Sequence, residues 1–454
     1  MNLKTRALIK RSLQHFFQKN KPHRPHAPSL FRIATKIDPL ALLPWLKNQP
    51  QMIKLYWSDR FGEFETAGIG TAFSLHENSI EKSTKIFETL LPLLNNQNHS
   101  LRFYGGFRFE RKSRPSAQWA SFGQSWFFLP RFELLREQQK TYFICHILLK
   151  PGERLTDHLN KTLHEIDKIN FSQSPSDHNL NPYRRRIDLP SKAEWTKRFS
   201  GIMQKIKSQR LQKIVLARQS VFTFPQTVLP LDLLSHLKRN SPKGFHFYFQ
   251  PRSGIAFLGN SPERLFKQSG KKIISEALAG TRLRGVSVGE DLQFENELLS
   301  SFKELREHRF VDRKIRADLL PFCQKLKTTP LSLMKLNHVQ HLYKQFRGIL
   351  KNHISPATLL SRLHPTPAVA GLPSLPALLT LSRFEKFDRG WYSAPLGWIS
   401  PKAADFIVAI RSALINKKKI FLYAGAGIVK GSTAAAEWTE IENKMEDFFQ
   451  AITQ

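Results

Sequence analysis

The sequence predicts an α+β fold, and three observations carry that reading. Short apolar and aromatic runs with period-2 alternation recur through both halves of the chain. Stretches with helical spacing and cap signals stand between some of these runs but do not alternate strictly with them, which disfavours a doubly wound parallel sheet. Finally, 454 residues with 41% hydrophobic content and 23% charged residues are enough to bury a large core without disulfide or metal staples.

Residues 1–36 read as a basic N-terminal extension with a short amphipathic helix around Leu8 to Phe17. Residues 37–186 read as a β-rich half followed by a linker. Its strand signals are Ile53-Lys-Leu-Tyr-Trp57, Leu101-Arg-Phe-Tyr-Gly-Gly-Phe107, Trp126-Phe-Phe-Leu-Pro-Arg-Phe132 and Tyr142-Phe-Ile-Cys-His-Ile-Leu-Leu149. Ser172 to Arg186, rich in Ser, Asn, Pro and Arg, is the linker. Residues 187–454 form the third region. Ser191-Lys-Ala-Glu194 is a capping box that opens a helix whose first apolar residue is Trp195. Lys213 to Phe222 reads as a strand. Leu298, Leu299, Phe302 and Leu305 give Leu292 to Leu320 a helical spacing. Phe406 to Ile415 and Lys419 to Ala424 read as strands, and Thr433 to Ile452 as a final helix.

Cys145 and Cys323 are the only cysteines, too few for a disulfide framework or a cysteine-based metal site, and this usage fits a reducing cytoplasm. No apolar run approaches the roughly 20 residues that span a bilayer as a helix, so no membrane partner is expected. The 70 Lys and Arg against 36 Asp and Glu give a net charge of +34, which raises a nucleic-acid hypothesis. The excess is diffuse, however. The first 36 residues carry nine basic side chains and no acid, a start that also resembles an organelle transit peptide, and +25 remains over the other 418. No nucleic-acid-binding motif accompanies it, and no nucleic-acid partner is expected.

Several residues have the chemistry of a site. Gly425-Ala-Gly-Ile-Val-Lys-Gly-Ser432 looks like a phosphate loop but lacks the glycine or lysine positions of either nucleotide-binding pattern. Its glycines still expose backbone N–H groups between a strand and a helix, suited to a carboxylate. Glu304 with Glu307, and Glu437 with Glu440, are carboxylate pairs spaced by three on helix faces. Facing pairs would make an all-oxygen site for Mg²⁺, while spacing alone favours solvated helix faces with Glu440 and Lys444 as an ordinary i, i+4 ion pair. Lys213 begins an apolar strand, and Glu263 sits in the turn Gly259-Asn-Ser-Pro-Glu-Arg264. Held in a cleft, such a lysine can act as a base and such a carboxyl as an acid. On an edge strand and in an open turn they would be ordinary surface charges.

Eight segments change this balance: Gly259-Asn-Ser-Pro-Glu-Arg264, Glu276-Ala-Leu-Ala-Gly-Thr-Arg-Leu-Arg-Gly285, Glu307-His-Arg-Phe-Val311, Val339-Gln-His-Leu342, Leu363-His-Pro-Thr-Pro-Ala-Val-Ala-Gly371, Phe387 to Trp398, Ala409-Ile-Arg-Ser412 and Leu422 to Glu440. Together and in this order, over roughly residues 190 to 450, they resemble the chorismate-utilising enzyme family. The resemblance implies a large antiparallel β-sheet sandwich core flanked by helices, with 187–454 as the chorismate-binding catalytic region. It also implies roles. Lys213 matches the base that activates water and Glu263 the acid that protonates a departing hydroxyl. Glu307 and Glu440 match the principal Mg²⁺ ligands, with Glu304 and Glu437 in support. Arg411, Lys444, Gly425 and Gly427 match the grip on the substrate's carboxylates, and Gly280 and Thr281 match residues lining the ring. His341 and His364 match motif positions without an assigned duty. Leu305 and Glu304 depart from the first acidic motif, which affects the outer metal shell.

Within the family, Ala279 stands where aminodeoxychorismate synthases carry a nucleophilic lysine, and neither a Leu-Leu-Glu-Ser inhibitor element nor an amidotransferase segment is found. No amidotransferase subunit is therefore expected. Residues 50 to 150 resemble the variable half of menaquinone-pathway isochorismate synthases. The resemblance thus implies Mg²⁺-dependent, reversible conversion of chorismate to isochorismate. Salicylate formation in the same pocket is the alternative, and a basic nucleic-acid-binding protein on an inactive scaffold is the alternative from another class.

Overall fold

The computed structural model describes residues 2–20, 25–79, 85–95, 101–110, 115–172 and 180–453. Two large sheets organise them, and every strand pairing is antiparallel. A twelve-stranded sheet runs in the order 29–37, 140–149, 132–137, 64–69, 54–58, 245–252, 255–261, 412–416, 419–429, 213–223 and 371–372, with 185–189 also paired to 213–223. A ten-stranded sheet runs 323–328, 339–350, 272–283, 264–269, 403–408, 395–399, 103–107, 125–129 and 73–77, with 332–335 paired to 339–350. Aromatic side chains from both halves of the chain fill one cluster between them. Trp391 packs on Phe122 at 5.0 Å and on Phe249 at 5.7 Å, and Trp119 on Phe257 at 5.2 Å. This is the antiparallel sandwich with flanking helices that the resemblance implied.

Three features differ from the reading of the sequence. Residues 1–36 are not a loose extension. Asn2–Lys19 is a helix whose Ile9, Leu13 and Phe17 are buried in the main core, and Ser29–Ile37 pairs along its whole length with Lys140–Leu149. The basic residues lie on the outer face of that amphipathic helix, so the composition drew attention away from the buried stripe. The boundary at 186/187 is likewise not a physical division, because both sheets continue across it: Lys54–Ser58 pairs with Phe245–Arg252, and Phe103–Phe107 with Pro395–Ile399. Within the expected linker, residues 173–179 lie outside the described residues, while Arg185 and Arg186 already belong to a strand.

The third difference positions the site. Phe406 to Ile415 is two strands in two sheets. Ala403–Val408 belongs to the ten-stranded sheet and Ser412–Asn416 to the twelve-stranded one, and the chain crosses at Ala409 to Arg411, where Arg411 has φ +47°. The stretch 292–320 is also broken. Helices Val288–Ser300 and Phe302–Leu319 meet at Ser301, whose hydroxyl accepts from the Glu304 N–H at 3.4 Å and caps the second helix. Phe302 is 86% exposed, and the buried face of the second helix carries Glu304, Glu307, His308, Val311 and Ile315. No helix among the described residues is long and apolar enough to cross a membrane.

Candidate active site

The site forms where the strand 213–223, the crossing at 409–411, the strand 272–283 and the helices 302–319 and 434–453 converge. Lys213 and Glu263 are both buried there. The Lys213 ammonium is 0% exposed and stands 2.9 Å from Glu307 Oε1. Lys213 is held in the sheet by pairing to Val429 on one side and Leu372 on the other, so it is not an edge-strand charge. Glu263 follows the strand 255–261 and lines the cleft. Burial pushes its carboxyl up to about 8, and only partly do the Lys213 and Lys444 ammoniums oppose this. It is an acid that keeps its proton near neutral pH.

Four glutamates face each other across the two helices. Lys303 binds three of them, at 2.7 Å from Glu437 Oε1, 3.3 Å from Glu304 Oε1 and 3.9 Å from Glu440 Oε2. Lys444 donates to Glu440 Oε1 at 2.6 Å and to the Gly425 carbonyl at 3.0 Å. Burial first, and the neighbouring Glu307 next, raise the Glu304 pKa; burial and then Glu440 push Glu437 up to about 7. Burial would push Glu440 up as well, but the Lys444 and Lys303 ammoniums outweigh it and hold that carboxyl below the usual range. Among the described residues no three Asp, Glu, His or Cys side chains lie close enough, as they stand, to hold one metal ion. The donor chemistry nonetheless fits a hard divalent cation: all the donors are carboxylate oxygens, Glu304, Glu307 and Glu437 are buried, and burial together with a neighbouring carboxylate raises the pKa of Glu304 and of Glu437.

Gly425 and Gly427 lie inside the strand Lys419–Val429, paired with Ala217 and Val215, and not in a loop between strand and helix. The reason for glycine is spatial. A Cβ on Gly427 would fall 2.1 Å from Glu307 Oε1, so the carboxylate occupies the volume of the missing side chain. Gly280 has φ +80° and sits against Glu304, whose Oε2 accepts from the Thr281 N–H at 3.2 Å. Arg411 donates to His341 Nε2 at 2.7 Å. Since a guanidinium can only donate, Nε2 is the acceptor and Nδ1 carries the hydrogen, facing Thr281 Oγ1 at 3.1 Å and the Gly280 carbonyl at 3.3 Å. Burial and then Arg411 hold His341 well below its ordinary pKa, which makes it a neutral positioning group.

The protein-family model described as "Chorismate binding enzyme" matches residues 11–453. The chain belongs to the chorismate-binding enzymes. It is 34% identical over 361 residues to the chloroplastic isochorismate synthase of Catharanthus roseus, a stretch covering 78% of this chain and 62% of that protein's length. It is 32% identical over 417 residues to the isochorismate synthase MenF of Haemophilus influenzae, covering 91% of this chain and 90% of that one. Among solved structures it superposes on MenF, the menaquinone-specific isochorismate synthase from Escherichia coli, with a TM-score of 0.85 and 28% identity over the whole of both chains.

In this chorismate-binding enzyme one cleft is lined by Glu263, Gly280, Thr281, Glu307, Arg411, Gly425 and Lys444. Lys213 reaches it through Glu307, and Glu304, Glu437 and Glu440 stand behind. His364 does not join them: its Nε2 meets the Ser393 carbonyl at 3.0 Å and its ring packs on Phe109. Two contributors were missed in the sequence. Lys303 carried a signal, a lysine directly before the first acidic pair. Tyr392, which lines the cleft and stacks on Tyr423 at 5.2 Å, had none beyond its motif.

Proposed function

We propose that this chain is an isochorismate synthase. The observation that carries the reading is the pairing of opposite proton-transfer chemistry at one cleft: in its lining a buried carboxyl, Glu263, that keeps its proton near neutral pH, and beside the lining residue Glu307, at 2.9 Å, the buried Lys213. Chorismate carries two carboxylates and a hydroxyl at C4. Arg411 and Lys444, both half-buried in the lining of the cleft, supply the fixed positive charge that orients the acid groups. Lys213 takes a proton from the water that attacks C2, and Glu263 delivers its proton to the hydroxyl leaving C4. One allylic alcohol is exchanged for another, so the reaction is reversible and consumes neither ATP nor a redox cofactor. A bound Mg²⁺ would be held by Glu307 and Glu440, with Glu304 and Glu437 in support, and would neutralise a substrate carboxylate while competing with Lys213 for Glu307.

The purified protein, incubated with chorismate and Mg²⁺, is expected to yield isochorismate on chromatography. EDTA treatment should abolish that yield and added Mg²⁺ restore it. Salicylate and pyruvate in equal amounts would assign the salicylate-forming reaction instead. No turnover together with salt-dependent retention on DNA would favour a nucleic-acid-binding role on an inactive scaffold.

A further inference from the structure

Arg60 stands in the turn between the strands Lys54–Ser58 and Phe64–Ile69, far from Glu263 in sequence, and is buried. Its guanidinium grips Glu276, a buried carboxylate on the strand 272–283. Nη1 donates to Glu276 Oε1 at 3.2 Å and Nη2 to Glu276 Oε2 at 2.5 Å, a two-pronged pair. Nη2 also donates to the Pro262 carbonyl at 2.6 Å, and that carbonyl belongs to the peptide that leads into Glu263. The Arg60 Cζ stands over the Phe245 ring, 5.1 Å from its centre, which further restrains the side chain.

Glu263 is pinned on its other side as well. Arg264 donates to Asp405 at 3.1 and 3.4 Å, approaches Glu276 Oε1 at 3.5 Å and lies over the same Phe245 ring. The Glu263 N–H donates to Ser261 Oγ at 3.2 Å, and the Glu263 carbonyl accepts from the Val408 N–H at 3.1 Å. Two arginines thus meet two buried carboxylates, Glu276 and Asp405, behind the lining of the cleft. The charged groups facing Glu263 are Lys213 from the strand 213–223, Glu276 from the strand 272–283 and Lys444 from the helix 434–453. Glu307, His341 and Arg411 line the same cleft.

We propose that Arg60 is a positioning residue for the acid of the reaction: it compensates the charge of Glu276 beside Glu263, and it anchors the Pro262 carbonyl so that the Glu263 carboxyl is held at the cleft. The inference rests on the reading of Glu263 as that acid. It also gives a duty to the N-terminal part of the chain, whose described residues do not line the cleft. Arg60 acts through two contacts, one electrostatic and one geometric, and substitutions separate them.

Turnover of chorismate with Mg²⁺ is followed from pH 6 to 10, with circular dichroism to check the fold of each variant. Arg60→Met leaves the Glu276 carboxylate uncompensated beside Glu263. A negative charge there disfavours ionisation of the acid, so the alkaline limb should move up by at least about half a pH unit. At pH 7 kcat should fall at least about tenfold while KM stays within about threefold, because the acid is misplaced and the grip on the substrate is not. Arg60→Lys keeps the charge and loses the fork; its limb should stay at the wild-type pH, with kcat between the two. Arg60→Met combined with Glu276→Gln leaves neither buried charge without its partner, and it carries the test if Arg60→Met alone does not fold. Its limb should lie at or below that of wild type, with kcat still at least about tenfold down because the Pro262 carbonyl lacks its donor. An Arg60→Met limb at or below the wild-type pH, a loss confined to KM, or a double variant within about threefold of wild type would overturn the positioning role. A wild-type chain without turnover would overturn the reading of Glu263 and this inference with it, whereas those results beside an active wild type would overturn this inference alone.

Discussion

If Glu263 is the acid that protonates the leaving hydroxyl, its pKa sets the alkaline limit of turnover. Burial raises that pKa from 4.5 to about 8. At pH 7 the shifted group is about nine-tenths protonated, whereas an unshifted one would hold its proton in roughly 0.3% of molecules, a difference of about 300-fold in available acid. Turnover measured from pH 6 to 10 should therefore be level up to about 8 and then fall about tenfold per pH unit. Glu263→Gln should lose about 10² to 10⁴-fold at pH 7, together with that alkaline limb. The same burial destabilises the fold. Between pH 4.5 and 8 the folded carboxyl keeps a proton that the unfolded one has released, so the folded state binds more protons and stability falls as pH rises through that window. At pH 7 this amounts to at most about 3 kcal/mol, so Glu263→Gln should unfold at a higher urea concentration than wild type. A flat profile to pH 10, or a glutamine variant within tenfold of wild type, would remove Glu263 from the reaction.

Three further outcomes follow from the packing. Lys213→Met should lower kcat at least about 100-fold and cost about 3–5 kcal/mol in chemical denaturation, because Glu307 is left buried without its 2.9 Å partner; adding Glu307→Gln should restore stability but not turnover. Gly427→Ala, whose methyl would fall 2.1 Å from Glu307 Oε1, should cut turnover at least about 100-fold and weaken Mg²⁺ binding by titration, while Gly425→Ala, with nearest contacts of 3.1 and 3.2 Å, should be milder. Deleting residues 1–37 exposes the edge of the strand Lys140–Leu149 and the core beneath Ile9, Leu13 and Phe17; the product should be insoluble or melt at least about 10 °C lower, and an unchanged melting temperature would show that segment to be dispensable.

Much of this architecture was legible because local chemistry and tertiary structure agree. Ser191 and Glu194 form the capping box, with Glu194 Oε2 accepting from the Ser191 N–H at 3.0 Å, and Trp195 is fully buried. The strands at 54–58, 103–107, 140–149 and 213–223 fall where apolar, aromatic and β-branched runs placed them. Errors arose where one periodicity ran over a break. Phe406 to Ile415 is apolar but for Arg411 and Ser412, and the change of sheet at Arg411 depends on a positive φ that no residue type there announces. Leu298 to Leu305 kept helical spacing across Ser301, although the second helix buries carboxylates and exposes Phe302.

That last inversion explains why the site resisted a reading from spacing alone. Hydrophobic periodicity finds a helix's inner face by assuming that burial costs polar groups too much. Here Glu304, Glu307 and Glu437 occupy inner faces because the Lys213 and Lys303 ammoniums stand against them. Two of these pairings join residues that the sequence gives no reason to associate: Lys213 and Glu307 come from a strand and a helix, and Lys303 and Glu437 from two different helices. Once the sheets bring them together, glycine at 427 makes room for the carboxylate, and the left-handed turn at 411 points the guanidinium at His341. The cleft is thus built from residues that look misplaced on their own elements, and recognising it required either the folded chain or the ordered set of motifs.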